Sequence, residues 1–291
     1  MVRRPRVGVS RAVEPWLRAL CGCLLLIVMA ACSPIKNAAS VPPPPPRPHV
    51  FVIVMENRSP AQALRTRYVS SLAQQYAVLT NYHAVAHPSL PNYLALTSGN
   101  TWGIRDDGFH RLPSGGLGAQ LTKSGISWRA YMEGMSDDCL ADVGGYAVKH
   151  NPFAYYGAAC PSNIVNFGQL SSDLATNPPQ FLWIGPDMCH DTHDCSLQTG
   201  DAWLASTVPQ ILASDAWKQN GVLFITWDED DSSSDTNAVS ALVIAPNLKA
   251  HTSAKLYDHY SMLATIQDLL GVGRLGNASG AATIDLVPPP R

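Results

Sequence analysis

Reactive chemistry in this 291-residue chain concentrates in one stretch, His87-Pro-Ser-Leu-Pro-Asn-Tyr-Leu-Ala-Leu-Thr-Ser-Gly99. Its pattern predicts a helix beginning at Ser89, where backbone N–H groups without intrahelical partners can hold an anion. A serine hydroxyl is a poor nucleophile at neutral pH unless a base or a metal activates it. Two acid-bearing segments could do so: Val52-Ile-Val-Met-Glu56-Asn57 upstream and Val222-Leu-Phe-Ile-Thr-Trp-Asp228-Glu229 downstream. Carboxylate oxygens are hard ligands that suit a divalent cation, and unpaired carboxylates ending an apolar strand would otherwise repel. The combination points to metal-assisted hydrolysis of a phosphoester. Asn92, one turn after Ser89, can aim its amide at the same place. Plainer readings exist for each piece: Ser89 as an N-cap, residues 57–60 as a turn, and Asp230-Asp231 as a solvated acidic loop.

Two further segments carry ligand-type side chains. Asp187-Met-Cys189-His190-Asp191-Thr-His193-Asp194-Cys195 packs imidazoles and carboxylates between two cysteines. Tyr257-Asp258-His259-Tyr260 opens a helix, with Asp258 suited to the N-cap and His259 to a ligand or phosphate contact. His49, His83, His110, His150 and His251 have no supporting context, and His87 is at most a neighbour of the site.

These residues must be positioned by elements that the hydrophobic pattern outlines. Strands are expected at residues 50–55, 127–132, 181–184, 222–227 and 241–245, and helices at 61–76, 89–96, 202–213 and 260–270. Strands apolar throughout and separated by helices predict an α/β fold, a mostly parallel central sheet with helices on both faces. Ligands then lie beyond the carboxyl ends of the strands, where Glu56, Asn57, Asp187, Asp228 and Glu229 fall. Residues 99–177, rich in Gly and Ser and poorly periodic, read as long loops that cap the site and set substrate choice.

The composition is 46% hydrophobic and 14% charged, with a formal net charge of −2. That argues against disorder and offers no electrostatic case for nucleic acid as a partner. Residues 1–32 read as a lipoprotein-type signal peptide: arginines precede a short apolar run that ends Met29-Ala-Ala-Cys32, where Cys32 is the expected lipid site and membrane anchor. Residues 33–48 contain Pro42 to Pro46 in one run and read as a linker. Residues 49–291 form the expected single domain. Of its cysteines, Cys139 should pair with Cys160 and Cys189 with Cys195, since both bridges close short loops in an exported chain.

Together, Val54-Met-Glu56-Asn57, His87-Pro-Ser89-Leu-Pro-Asn92-Tyr93, Cys189-His-Asp191-Thr-His193-Asp-Cys195, Thr226-Trp-Asp228-Glu229 and Tyr257-Asp-His259 resemble the phosphoesterase family of bacterial acid phosphatases and phospholipases C, within the alkaline-phosphatase-like superfamily. The resemblance implies one or two divalent metal ions held by Glu56, Asn57, Ser89, Asp228 and Glu229, with Asp191 and His259 on the phosphate or second-metal side. It implies Ser89 as a nucleophile that becomes phosphoserine, Asn92 as a phosphoryl contact and His193 as a catalytic neighbour. Pro60 stands where the family commonly has an aromatic, and Asp230-Asp231 replaces a glycine-bearing stretch. The domain's shortness implies a compact acid-phosphatase-like member. The alternatives are a phospholipase C or other phosphodiesterase, with Trp102 or Tyr131 lining an apolar groove; a phospho-headgroup transferase; and a non-catalytic surface lipoprotein that retains the fold.

Overall fold

The computed structural model describes residues 46–285. The expected signal segment, Cys32 and most of the linker lie outside them. Strand β1 (Val50–Met55) is a run of β-branched and aromatic residues, every one buried. A tight turn leads into α1 (Pro60–Ala63), α2 (Arg67–Gln75), and the short strands β2 (Ala77–Leu79) and β3 (Tyr82–His83). Helix α3 (Ser89–Ser98) follows, then α4 (Gly116–Lys123), β4 (Trp128–Met132), β5 (Ile164–Asn166), α5 (Leu170–Thr176) and β6 (Phe181–Gly185). The remainder is α6 (Leu197–Ala213), α7 (Asp215–Asn220), β7 (Val222–Trp227), β8 (Ala241–Ile244), β9 (His251–Ser253), β10 (Tyr257–Asp258) and α8 (His259–Leu270).

Eight strands form one sheet in the order β5-β4-β6-β1-β7-β8-β2-β9, and β10 pairs with β3 apart from it. β8 alone runs against its neighbours, so the sheet is mostly parallel, as expected. The register sets Met55 beside Trp227 and Ile53 beside Ile184. The carboxyl ends of β1, β6 and β7 therefore meet at one rim, and the residues that follow them, Glu56, Asp187 and Asp228, emerge together. Helices α3, α4 and α8 pack among themselves, and α2, α5, α6 and α7 form a second group, which accounts for strands apolar on both faces.

Three expectations need correction. The helix expected at 61–76 is two helices, because Asp201 on α6 accepts hydrogen bonds from Tyr68 N–H (2.9 Å) and Val69 N–H (3.0 Å) and so provides a second helix start. No local signal announces a capping carboxylate that comes from another helix. The stretch 99–177 also holds α4, β5 and α5 besides loops. Helix α4 carries two glycines, and β5 has only three residues, too few for a period to show. Strands β2, β3, β9 and β10 escape for the same reason. Both expected disulfides, Cys139–Cys160 and Cys189–Cys195, are present.

Helix α3 is buried along its entire length. It ends at Gly99, whose φ of 69° is left-handed and whose carbonyl accepts from Asn277 N–H at 2.8 Å. A Cβ there would lie 2.2 Å from the Leu275 carbonyl oxygen. Gly99→Ala should cost at least ~2 kcal/mol, combining left-handed strain with a clash against backbone. Gly103→Ala, also left-handed but with nothing within 4 Å, should cost ~1 kcal/mol. Thermal or urea unfolding of both variants checks the difference.

Candidate active site

The rim where β1 and β7 end is a cluster of buried acids. Asp228 N–H donates to the Met55 carbonyl at 2.9 Å, extending the parallel ladder by one residue and locking Glu56 and Asp228 side by side. Asn57 turns the chain with a φ of 47°, a conformation asparagine tolerates, and its N–H donates to Asp228 Oδ1 at 3.1 Å. The disulfide-closed loop after β6 braces the same corner: Glu56 N–H donates to the Asp191 carbonyl (2.9 Å), and the Thr192 hydroxyl donates to the Glu56 carbonyl (2.9 Å).

Helix α3 delivers Ser89 into this corner. Its hydroxyl donates to Glu56 Oε2 at 3.0 Å and lies 3.4 Å from Glu229 Oε1, and the residue is 1% exposed. One turn on, the Tyr93 hydroxyl donates to Glu56 Oε1. Glu229 pairs through its other oxygen with His87, which is partly open to solvent.

One central residue was missed. His150, from a buried turn before a run of aromatic residues, sits with Nε2 3.2 Å from Glu56 Oε1 and Nδ1 3.1 Å from Asp191 Oδ2. Its ring stacks on Tyr93, with centroids 5.2 Å apart. Nothing beside it in the chain signals this, since its partners follow β1 and β6. The remaining signal was its type: a histidine in a Gly- and Ser-rich stretch assigned to site-capping loops.

Four buried carboxylates in one corner create an electrostatic problem. Burial, with repulsion from Glu56 and Glu229, pushes Asp228 well above the ordinary carboxylate range. Burial, followed by the Glu56 charge, raises Asp191 to about 6, and burial raises Glu229 to about 7 despite His87. Glu56 moves the other way: burial opposes its charge, but the attraction of His150 beside it prevails. His150 is in turn raised to about 10, its burial outweighed by the Glu56 and Asp191 charges. The cluster thus demands positive charge. Asn57 Oδ1, Asp191 Oδ2, Asp228 Oδ2 and both His150 nitrogens are buried and lack aligned hydrogen-bond partners. Glu56, His150 and Asp191 each have a ligand-type atom within 4.8 Å of the others, His150 serving as a donor only once a bound cation displaces its proton. Oxygen-rich, acidic and partly unsatisfied, this donor set fits a divalent cation.

Several expected residues have other tasks. Asn92 does not face the acids: its Oδ1 accepts from Val85 and Ala86 N–H (both 3.0 Å), and its amide donates to the Ala86 (2.8 Å) and Pro88 (3.2 Å) carbonyls. It ties down the loop that presents Ser89. His259 has both nitrogens engaged, one with the Asp228 carbonyl (2.6 Å) and one with the Tyr82 hydroxyl (3.0 Å), and so props Asp228 from behind. Asp258 caps α8 through Ser261 N–H at 2.8 Å. His193 lies at the margin, 3.2 Å from Lys149 Nζ. Asp187 and His190 turn away toward Glu133, leaving Asp191 as the member of that loop inside the corner. Asp230, read as solvated, is buried, while Asp231 is only partly so and accepts from Gln62. Tyr131 is fully buried with its hydroxyl donating to Asp173, so it lines no open groove, whereas Trp102 is 40% exposed with its indole N–H on Ser98. The expected free N–H at the start of α3 is partly used, because Leu90 N–H donates to Asp107 Oδ1 at 3.0 Å.

Burial lowers His259 from 6.5 to about 4, against the Asp228 carbonyl contact, which favours the charged ring. The unfolded chain therefore takes up this proton at higher pH than the folded one. Stability from neutral His259 is complete above about pH 6.5 and is lost as the pH falls toward 4, amounting to ~3 kcal/mol. In His259→Gln, urea unfolding at pH 7 and at pH 4.5 should show a smaller acid-induced drop than in wild type.

The comparisons agree with this geometry. The model of the Phosphoesterase family matches residues 62–273. A "Probable acid phosphatase" of Kluyveromyces lactis is 31% identical over 80% of this chain and 61% of its own length. A "Phosphatidylinositol-3-phosphatase" of Mycobacterium tuberculosis is 30% identical over 97% of this chain and 95% of its own. The chain thus spans about three fifths of the yeast protein and nearly all of the mycobacterial one. Among solved structures, an alkaline phosphatase superfamily protein of Vibrio parahaemolyticus superposes with a TM-score of 0.60 at 13% identity, covering 83% of this chain and 72% of that one. The sheet order, the buried acids around Ser89 and the family match converge: this chain belongs to the phosphoesterase family.

Proposed function

We propose that the protein is an exported hydrolase of phosphoric esters, acid-phosphatase-like, that uses Ser89 as nucleophile with a divalent metal ion. The observation that carries this reading is the Ser89 hydroxyl, buried and shared between Glu56 and Glu229 at the rim of the sheet. Glu56, Asn57, Ser89, Asp228 and Glu229 would hold the metal, with Asp191 and His150 closing the other side. When bound, the metal supplies positive charge that favours the serine alkoxide and offsets the phosphate's charge. The chain's own residues do the rest. Glu56 and Glu229 lie within reach of the hydroxyl proton, and His87 connects Glu229 to solvent. The Ser89 oxygen attacks phosphorus, the bond from phosphorus to the leaving oxygen breaks, and water then cleaves the phosphoserine.

The acid phosphatase relatives support monoester substrates, and the mycobacterial relative supports a lipid-borne phosphate as one source. Export fits the two disulfides, and anchoring through lipidated Cys32 would place the site at a membrane surface. Among the described residues no helix is long and apolar enough to cross a membrane.

Wild-type protein should release p-nitrophenol from p-nitrophenyl phosphate, lose the activity in EDTA and regain it on metal add-back. Ser89→Ala should lower kcat/KM at least ~1,000-fold. Acid quenching during turnover should trap phosphate on the peptide bearing Ser89. Equal rates in wild type and Ser89→Ala would sink the nucleophile and favour a non-catalytic binding protein. Metal should also stabilise the fold by ~3 kcal/mol at a hundred times its Kd, read as a raised midpoint of thermal unfolding, and His150→Ala should reduce that shift.

A further inference from the structure

Beside the start of α3 lies a cavity of about 560 Å³ built largely from the 99–177 stretch. Its inner edge is Asp107 and Lys149. Asp107 accepts from Leu90 N–H at 3.0 Å and from Lys149 Nζ at 3.0 Å, and that ammonium lies 3.2 Å from His193 Nε2. The cavity therefore begins one contact from the turn that carries Ser89. Its outer wall is apolar. Phe109 and Val143 are 49% and 46% exposed, two of the four large hydrophobic residues so exposed among the described residues, and both line this one cavity. An exposed aromatic ring and an aliphatic side chain facing a common space favour an apolar guest.

Charge narrows the guest further. Asp107, Asp142 and Asp194 line the cavity against a single ammonium, Lys149, which Asp107 already pairs. Asp142 accepts from Val148 N–H and Asp194 meets His193 Nδ1 at 2.7 Å, and these two exposed carboxylates leave the cavity's mouth negative. Both disulfides hold the walls: Cys139 precedes Leu140, with the Tyr146 hydroxyl on the Cys139 carbonyl at 2.6 Å, and the bridge from Cys189 to Cys195 closes the loop bearing Asp194. The cavity is a built feature, joined to the start of α3 through Asp107 and lined by none of the buried acids.

We propose that this cavity receives the leaving group of the ester, and that it selects groups with an apolar or aromatic body and no negative charge. The inference rests on the hydrolase reading above. An aryl or amine-bearing group would pack on Phe109 and meet Asp142 and Asp194 without repulsion, whereas a multiply phosphorylated alcohol would be rejected by those carboxylates.

Three substrates with phenol leaving groups of similar acidity test it: phenyl phosphate, 4-aminomethylphenyl phosphate and 4-carboxyphenyl phosphate. In wild type kcat/KM should be about tenfold higher for the aminomethyl than for the carboxy ester. Asp142→Asn keeps an acceptor for Val148 N–H, whose bond to Asp142 is 2.7 Å long, and should narrow that ratio to about threefold. Phe109→Ala should raise KM for all three about fivefold, leaving kcat and the inhibition constant of inorganic phosphate unchanged. Calorimetric binding of the three phenols to the intact protein should follow the same order. Turnover without that order, or a ratio indifferent to Asp142→Asn, would overturn the cavity's role. Ordered binding of the phenols without turnover would uphold the cavity and overturn the hydrolase reading instead.

Discussion

The structure is organised around a repulsion. Glu56, Asp191, Asp228 and Glu229 are brought together at the end of an apolar sheet, where water cannot screen them. Left alone, such a group would protonate or push itself apart. It is held because Glu56, Asp191 and Asp228 are fixed through backbone bonds, and Glu229 by the His87 and Ser89 side chains. Asp228 is locked to Met55 by the ladder, Asp191 to Glu56 by a main-chain bond, and Asn57 N–H turns onto Asp228. The raised carboxyls of Asp228, Glu229 and Asp191, against the lowered Glu56, show how much one imidazolium, His150, can offset and how much it leaves. That remainder is uncompensated negative charge, which a bound cation would neutralise.

The residues around the acids serve mostly as supports. Asn92 spends its whole hydrogen-bonding capacity on the loop before Ser89, and His259 spends both ring nitrogens behind Asp228. Tyr93 holds one oxygen of Glu56 and stacks on His150. Preorganisation of this kind means that a nucleophile need not search for its geometry, at the cost of a crowded and fully committed second layer.

Much of this was legible in the chain. The runs at 50–55 and 222–227 announced buried strands, and acids directly after them had to emerge at a shared rim once the strands were parallel. Ser89 at a helix start and Asp191 between paired cysteines were visible as types in context. What was not legible came from contacts between distant segments. The break between α1 and α2 depends on Asp201, and the Leu90 N–H is taken by Asp107. His150 has its partners on the loops after β1 and β6.

Sequence alone therefore determined the fold class, from the apolar runs of its strands, and the two disulfides, from the short loops they close; it also showed that Glu56 and Asp228 directly succeed neighbouring strands. Tertiary structure decided how those residues are employed. It enlisted His150, turned Asn92 and His259 into braces, sent Asp187 and His190 to Glu133, and carved a carboxylate-walled cavity from a stretch with no period. The reason is physical: a periodic pattern records which face of an element is buried, whereas a side chain's partner depends on where another segment happens to pass.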